Sequence, residues 1–199
     1  MMGGVSASLI PEPARPNPLL RAGVWASEKI VGRRLLPARL LAWYPRAAIG
    51  AGVLESLVAH REPSPRLLML VRVTASLTIA CPFCVDMNSF RPEAAGVTPA
   101  ELDALRRFAA AHQAGGAASE GDILAGFAPA ERTAIRYAAA ISATPLSFPD
   151  ALRREVTDAF AERDVVILAT TAAQVNFWGR TIQALGIPPA GFCTVPPAG

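Results

Sequence analysis

Charge is scarce in this chain of 199 residues: Asp, Glu, Lys and Arg make up 18% of it, against 52% hydrophobic residues. An ordinary soluble domain carries roughly 25% charged residues. A disordered chain needs low hydrophobicity and high charge, so disorder is excluded as the state of the whole chain. Lysine is almost missing, Lys29 being the only one among the basic residues. The arginines form no cluster longer than the pairs Arg33-Arg34, Arg106-Arg107 and Arg153-Arg154. Each pair reads as part of a solvated helix face. Nucleic-acid binding needs basic residues concentrated on one surface, and a net charge of +3 spread in this way does not supply it. No nucleic-acid partner is expected.

Long apolar runs are missing as well. A membrane span needs about 20 mostly apolar residues. Residues 67–87 carry Arg72 and end in a polar stretch, and residues 165–178 are too short and include Gln174 and Asn176. No membrane partner is expected. The N-terminal stretch has no basic segment and breaks on prolines within ten residues of an apolar start, which is not the pattern of a secretory signal. Residues 1–18 read as a flexible arm and 193–199 as a Pro-rich tail, leaving one domain over 19–192. The expected location is cytoplasmic. In a reducing compartment paired cysteines are more often catalytic or metal-binding than structural.

Strand signals are also absent. There is no Asn-Gly or Asp-Gly hairpin and no convincing period-2 alternation, which argues against a β architecture. Alanine and leucine, strong helix formers, dominate instead. Helices are predicted over 19–31, over 38–59 with a break near Pro45, and over 65–80, where Ser64-Pro65 supplies an N-cap with proline at the first helical position. The 65–80 helix is apolar nearly all round, so it belongs in a core or a subunit interface. Further helices are predicted over 82–91, over 99–112 behind the capping box Thr98-Pro-Ala-Glu101, over 129–143, from Ser147-Phe-Pro149-Asp150 to 161, and over 163–185. Residues 114–121 read as a loop. Gly186 and Pro188-Pro189 end the last helix. The fold class is all-α, with seven or eight helices.

The strongest local signal is Cys81-Pro82-Phe83-Cys84 at the start of a helix. Residues three apart share a helix face, so the two sulfurs can approach each other. Free N–H groups at a helix start favour a thiolate, which is the nucleophile. A second thiol one turn away can resolve a sulfenic acid or a mixed disulfide. A dithiol redox pair follows from that geometry, alongside the plainer reading of two buried cysteines serving as small apolar residues. Structural zinc needs four ligands. The remaining candidates, Cys193, His60 and His112, are scattered, so no metal and no cofactor is expected. A thioredoxin-like fold needs a βαβ pattern around the motif, and none is present.

The run Cys81-Pro-Phe-Cys-Val-Asp-Met-Asn88 resembles the signature of the carboxymuconolactone decarboxylase and alkylhydroperoxidase D-like (AhpD-like) family. The likeness continues through Arg136-Tyr137-Ala138 to Phe160, and through Ala173-Gln-Val-Asn176-Phe-Trp-Gly-Arg180 and Ala184-Leu-Gly-Ile-Pro, covering about residues 40–192. The resemblance implies an all-α fold with the CxxC at a helix N-terminus, and assembly into homo-oligomers, trimers or hexamers, with a dimer as a further option. It also implies a thiol-dependent peroxidase or disulfide reductase. Cys84 would attack the peroxide or disulfide, Cys81 would resolve it, and an external dithiol would recycle the pair.

The family's proton relay uses a glutamate in the preceding helix, a polar residue between the cysteines and a histidine four residues after the second. Here those positions hold Met69, Phe83 and Asn88, none of which titrates. Substitutes within reach are Asp86, one turn from both cysteines, and Glu55 and His60 on a preceding helix. Asp86 reads equally as a first-turn carboxylate favouring the helix. Asn176 and Arg180, four apart on one face of the last helix, would line the site or hold the assembly. The alternatives are a non-catalytic assembly or binding protein of the same family, and a lactone decarboxylase, a branch that has no need of the dithiol.

Overall fold

The computed structural model describes residues 8–115 and 120–193, and every regular element among them is helical. The helices are α1 (Pro18–Val31), α2 (Leu36–Leu41), α3 (Pro45–Leu57), α4 (Pro65–Thr78), α5 (Pro82–Asn88), α6 (Pro99–Gln113), α7 (Glu120–Ile123), α8 (Pro129–Ser142), α9 (Asp150–Ala159) and α10 (Glu162–Ala184), with a 3₁₀ turn at Pro92–Ala95. Eight of these helices have seven or more residues, in line with the seven or eight predicted. The predicted 38–59 helix divides into α2 and α3 at Pro45. The only regular structure in the predicted 114–121 loop is the start of α7 at Glu120; residues 116–119 lie outside the described residues.

Local chemistry sets most boundaries. The Ser64 hydroxyl accepts from Leu67 N–H at 3.1 Å to open α4. Thr98 and Glu101 form a reciprocal capping box at the start of α6. Gly186, in the left-handed region at φ 63°, follows α10. Ser147 is not the cap of α9: Pro149 takes that position and no side chain closes it.

The apolar helix α4 is the axis of the fold. Leu70 and Val73 pack with Leu102, Leu105 and Phe108 of α6 and Ile135 of α8. Leu67, Val71 and Ala75 pack with Ala134 and Ala138 of α8 and Leu168, Ala172 and Val175 of α10. Burying each such Leu or Val contributes about 1.5–3 kcal/mol, so α4 is held from several sides at once. A third cluster joins Cys81, Phe83 and Cys84 of the α4–α5 corner to Leu40, Ile182, Ile187 and Phe192.

The expected arm over residues 1–18 touches the helical body where the chain is described. Leu9 N–H donates to Leu185 O at 2.9 Å, and Trp43 Nε1 donates to Pro11 O at 2.8 Å. Residues 1–7 lie outside the described residues, as do 194–199 of the expected tail. No described helix is long and apolar enough to cross a membrane.

Candidate functional site around Cys84

The α4–α5 corner is made by one backbone conformation. Ala80 sits in the left-handed region at φ 49°, which turns the chain out of α4 and places Cys81 as the extended N-cap of α5. Pro82 then starts α5 with no N–H to waste. The Cys81 sulfur accepts from Cys84 N–H at 3.3 Å and lies 2.6 Å from the Cys84 sulfur. Both thiols are free, and both are buried within the chain. A disulfide would need about 2.05 Å, so the two sulfurs stand inside contact distance with no bond between them.

The two sulfurs differ electrostatically. The Cys84 thiol and the backbone N–H groups of Cys84 and Phe83 donate to Cys81, holding its pKa below the usual thiol value. Cys84 is pushed up, because its proton serves that hydrogen bond, and also by burial and the neighbouring Cys81 charge. One proton is thus shared between two sulfurs, with the thiolate favoured at Cys81.

The sulfurs differ in access too. Cys84 lines a cavity of about 350 Å³, shared with Glu55, His60, Arg72, Asn88 and Trp178. Cys81, equally buried, is not part of that lining. Ala59, Arg61, Met87, Gln174 and Val175 complete the wall.

The structure brings Glu55 and His60 to the thiol cavity. Glu55 Oε2 accepts from Gln174 Nε2 at 2.7 Å and from Trp178 Nε1 at 2.9 Å, which ties α3 to α10. His60 Nε2 lies 3.1 Å from Thr170 Oγ1. The Thr170 hydroxyl has a single proton and lies within donating reach of Val166 O and Ile167 O. Asn88 Nδ2 donates to Ser76 Oγ at 2.9 Å, and Ser76 in turn donates to Arg72 O at 2.7 Å.

Other sequence candidates fall elsewhere. Asp86 is buried and points away from the dithiol, into the C-terminal segment. Its carboxylate accepts from the backbone N–H groups of Ala190 (3.0 Å), Phe192 (3.0 Å) and Cys193 (2.7 Å). A carboxylate occupied by three donors is a structural anchor, so the expectation of a base at Asp86 is corrected. Phe83 packs edge-on against Phe192, with ring centroids 6.4 Å apart, and belongs to the core. Met69 packs with the α4–α6 core instead of the thiols. Asn176 donates to Ser142 Oγ, and Arg180 to Thr144 Oγ1. Arg180 lines a separate cavity of about 670 Å³ with His112, Gln113 and Thr144.

The α10 pair that reaches the thiol cavity is Gln174 and Trp178, also four apart but on another face. Arg72 is a further residue missed. In the sequence it counts only against a membrane span, yet it is the one charge between residues 67 and 85. The scattered Cys193, His112 and His60 lie apart: Cys193 against the Asp86 carbonyl, His112 against Glu120 and His60 against Thr170. Among the described residues no group of three or more His, Cys, Asp or Glu is placed to hold a metal ion.

The helical order, with a CxxC opening the short helix behind a central apolar one, is the AhpD-like fold. The solved structures it resembles include the AhpD core of an uncharacterized peroxidase-related protein from Ralstonia eutropha JMP134, with a TM-score of 0.72 and 16% identity over 92% of each chain. They also include a cysteine-to-alanine variant of the debrominase Bmp8 in complex with 2,3,4-tribromopyrrole, with a TM-score of 0.71 and 18% identity over 90% of this chain and 92% of that one. No family model matches the chain. In sequence it is similar to the uncharacterized protein YnjA of Escherichia coli (strain K12), 28% identical over 185 residues that cover 89% of this chain and 92% of YnjA.

Proposed function

We propose that this protein is a thiol-dependent oxidoreductase in which Cys84 reacts with a peroxide or disulfide and Cys81 resolves the product. The observation that carries this reading is the asymmetry of the pair: sulfurs 2.6 Å apart, of which Cys84 and not Cys81 lines the cavity beside Glu55 and His60. Transfer of the Cys84 proton to the Cys81 thiolate leaves a Cys84 thiolate facing the cavity. That thiolate attacks a hydroperoxide, the O–O bond breaks, the alcohol leaves with a proton, and Cys84 becomes a sulfenic acid. Cys81 then displaces hydroxide, which leaves as water, and the pair is a disulfide. An external dithiol returns two electrons and two protons. Glu55 and His60 stand in the cavity where the family's glutamate and histidine are missing from their usual positions, and they supply its titratable groups.

The apolar surface supports a homo-oligomer, a trimer or hexamer by resemblance. Helix α1 has no buried residue in the single chain, and Trp25, Ile30, Ile49, Val53 and Leu57 of α1 and α3 are exposed. A cytoplasmic location agrees with free thiols as the working state.

The test is turnover of tert-butyl hydroperoxide and 2-hydroxyethyl disulfide with dithiothreitol as donor. Cys84→Ser is expected to lower both at least 100-fold, and Cys81→Ser to trap oxidised Cys84 that a sulfenic-acid reagent captures. Turnover equal to wild type in Cys84→Ser would overturn the reading in favour of a non-catalytic protein or a lyase.

A second reading shares the same electrons. The likeness to a debrominase and the wall of Trp178, Met87 and Val175 beside Cys84 suit a small halogenated ring. Two thiols and one aryl bromide would yield the arene, the disulfide and hydrogen bromide. Bromide release from 2,3,4-tribromopyrrole, lost in Cys84→Ser, separates this from peroxide chemistry.

A further inference from the structure

Arg72 is the residue of this cavity with no assigned work. It stands in the middle of α4, whose other residues from 67 to 78 are uncharged. Its side chain is half-buried, and burial pushes its pKa down. It interacts with Glu55 only through space, and among the described residues no side chain or backbone carbonyl accepts a hydrogen bond from it. Glu55 Oε2, on the carboxylate that shares its cavity, already holds Gln174 and Trp178. A half-buried cation that lines a cavity without a hydrogen-bond partner leaves its donors open to a ligand. A planar fork of five donors suits a carboxylate in bidentate geometry. Two arginines, Arg72 and Arg61, face one carboxylate in the cavity.

We infer that Arg72 receives a carboxylate of the substrate, so that the Cys84 cavity selects small organic acids that bear the group to be reduced. The inference rests on reading Cys84 as the reactive thiol of the cavity. The apolar side chains of Met87, Val175 and Trp178 would pack the organic part while the carboxylate pairs with Arg72.

Paired alkylating probes test this without any turnover. Iodoacetate and iodoacetamide react with a thiolate in the same way: the S–C bond forms and iodide leaves. They differ only in carrying a carboxylate or a neutral amide, so any change in the thiol's pKa cancels in their rate ratio. Rates at Cys84 are followed by peptide mass spectrometry in a Cys193→Ser background, with the urea-unfolded chain as reference. The iodoacetate-to-iodoacetamide ratio at Cys84 is expected to exceed the unfolded value at least tenfold. It should fall to that value in Arg72→Met and persist in good part in Arg72→Lys, which keeps the charge and serves if the methionine variant does not fold. Propionate should slow iodoacetamide at Cys84 in wild type but not in Arg72→Met. A ratio equal to the unfolded value, or one unmoved by both substitutions, overturns the role of Arg72 and leaves the dithiol reading standing. Absence of reaction at Cys84 with either reagent overturns both.

Discussion

The Cys81 and Cys84 sulfurs lie 2.6 Å apart, and the first negative charge of the pair is favoured on Cys81. The two therefore titrate as a unit. In Cys193→Ser protein, thiolate absorbance should show one ionisation below the usual thiol range and no second one within that range. Cys84→Ser should move that ionisation up, since a hydroxyl is a weaker donor to the thiolate. Cys81→Ser should bring the Cys84 ionisation down from its raised position. The sign for stability follows from linkage. The lowered Cys81 value favours the folded state most fully above the unfolded thiol value, and this contribution fades as pH falls through the folded one. The raised Cys84 value works against the fold as pH climbs past the unfolded thiol value. Two equal, ordinary thiol ionisations would contradict the arrangement.

Asp86 predicts a different thiol's behaviour. Its carboxylate holds three backbone N–H groups of the C-terminal segment, and Cys193 Sγ donates to its carbonyl at 3.1 Å. Asp86→Ala leaves three buried or half-buried donors without an acceptor, each costing about 1–3 kcal/mol. The segment from 190 to 193 should detach, and alkylation of Cys193 should accelerate at least tenfold. Cys84 turnover should change far less. Unaltered Cys193 reactivity would show that Asp86 does not anchor the segment.

Much of this was legible in the sequence where the cause is local. Ser64-Pro65, Thr98 with Glu101, and Cys81-Pro82 mark helix starts through contacts within a few residues, and the structure places helices there. The cavity was harder, because its partners lie far apart along the chain. Glu55 reaches Gln174 across 119 residues, and nothing in either local pattern announces it. Helical spacing alone offers both Asn176–Arg180 and Gln174–Trp178 as pairs. Which face of α10 meets α3 depends on packing. Family spacing pointed to Met69, whereas the rotation of α4 turns Arg72 toward Cys84 and Met69 toward α6. Asp86 lies beside the thiols in sequence, yet the returning C-terminal segment claims it.

Arg66 joins three helix starts. Its Nη2 pairs with Glu101 Oε1 at 2.6 Å, and its Nε pairs with Glu131 Oε1 at 2.6 Å. This holds Glu101 down to about 2, chiefly through the guanidinium hydrogen bond, and lowers Glu131 for the same reason. Both carboxylates have folded values below their unfolded ones. Their stabilisation is therefore complete above about pH 4.5 and drains away as pH falls toward 2. Arg66→Met should cost about 1–3 kcal/mol at pH 7 and much less near pH 2, as read from urea denaturation at the two pH values. A cost independent of pH would assign the loss to packing.

Gly179 sets how closely α10 approaches the dithiol corner. A Cβ there would stand 2.0 Å from Ile79 Cδ1, 3.2 Å from Ile79 Cγ1 and 3.5 Å from Cys81 Cβ. The first contact is impossible without movement, and the obstacle is the end of a side chain next to the left-handed Ala80. Alanine favours a helix over glycine by about 1 kcal/mol, which works against the clash. Overpacking in a core typically costs about 1–3 kcal/mol. Gly179→Ala should therefore be net destabilising by about 1–2 kcal/mol and should disturb the Cys81–Cys84 spacing. Ile79→Val removes the Cδ1 atom, so in that background the same substitution should be close to neutral. The double-mutant cycle measures the contact directly. Equal costs in both backgrounds would mean that α10 is not held at its distance by Ile79, and that the corner carrying the dithiol is positioned by other contacts.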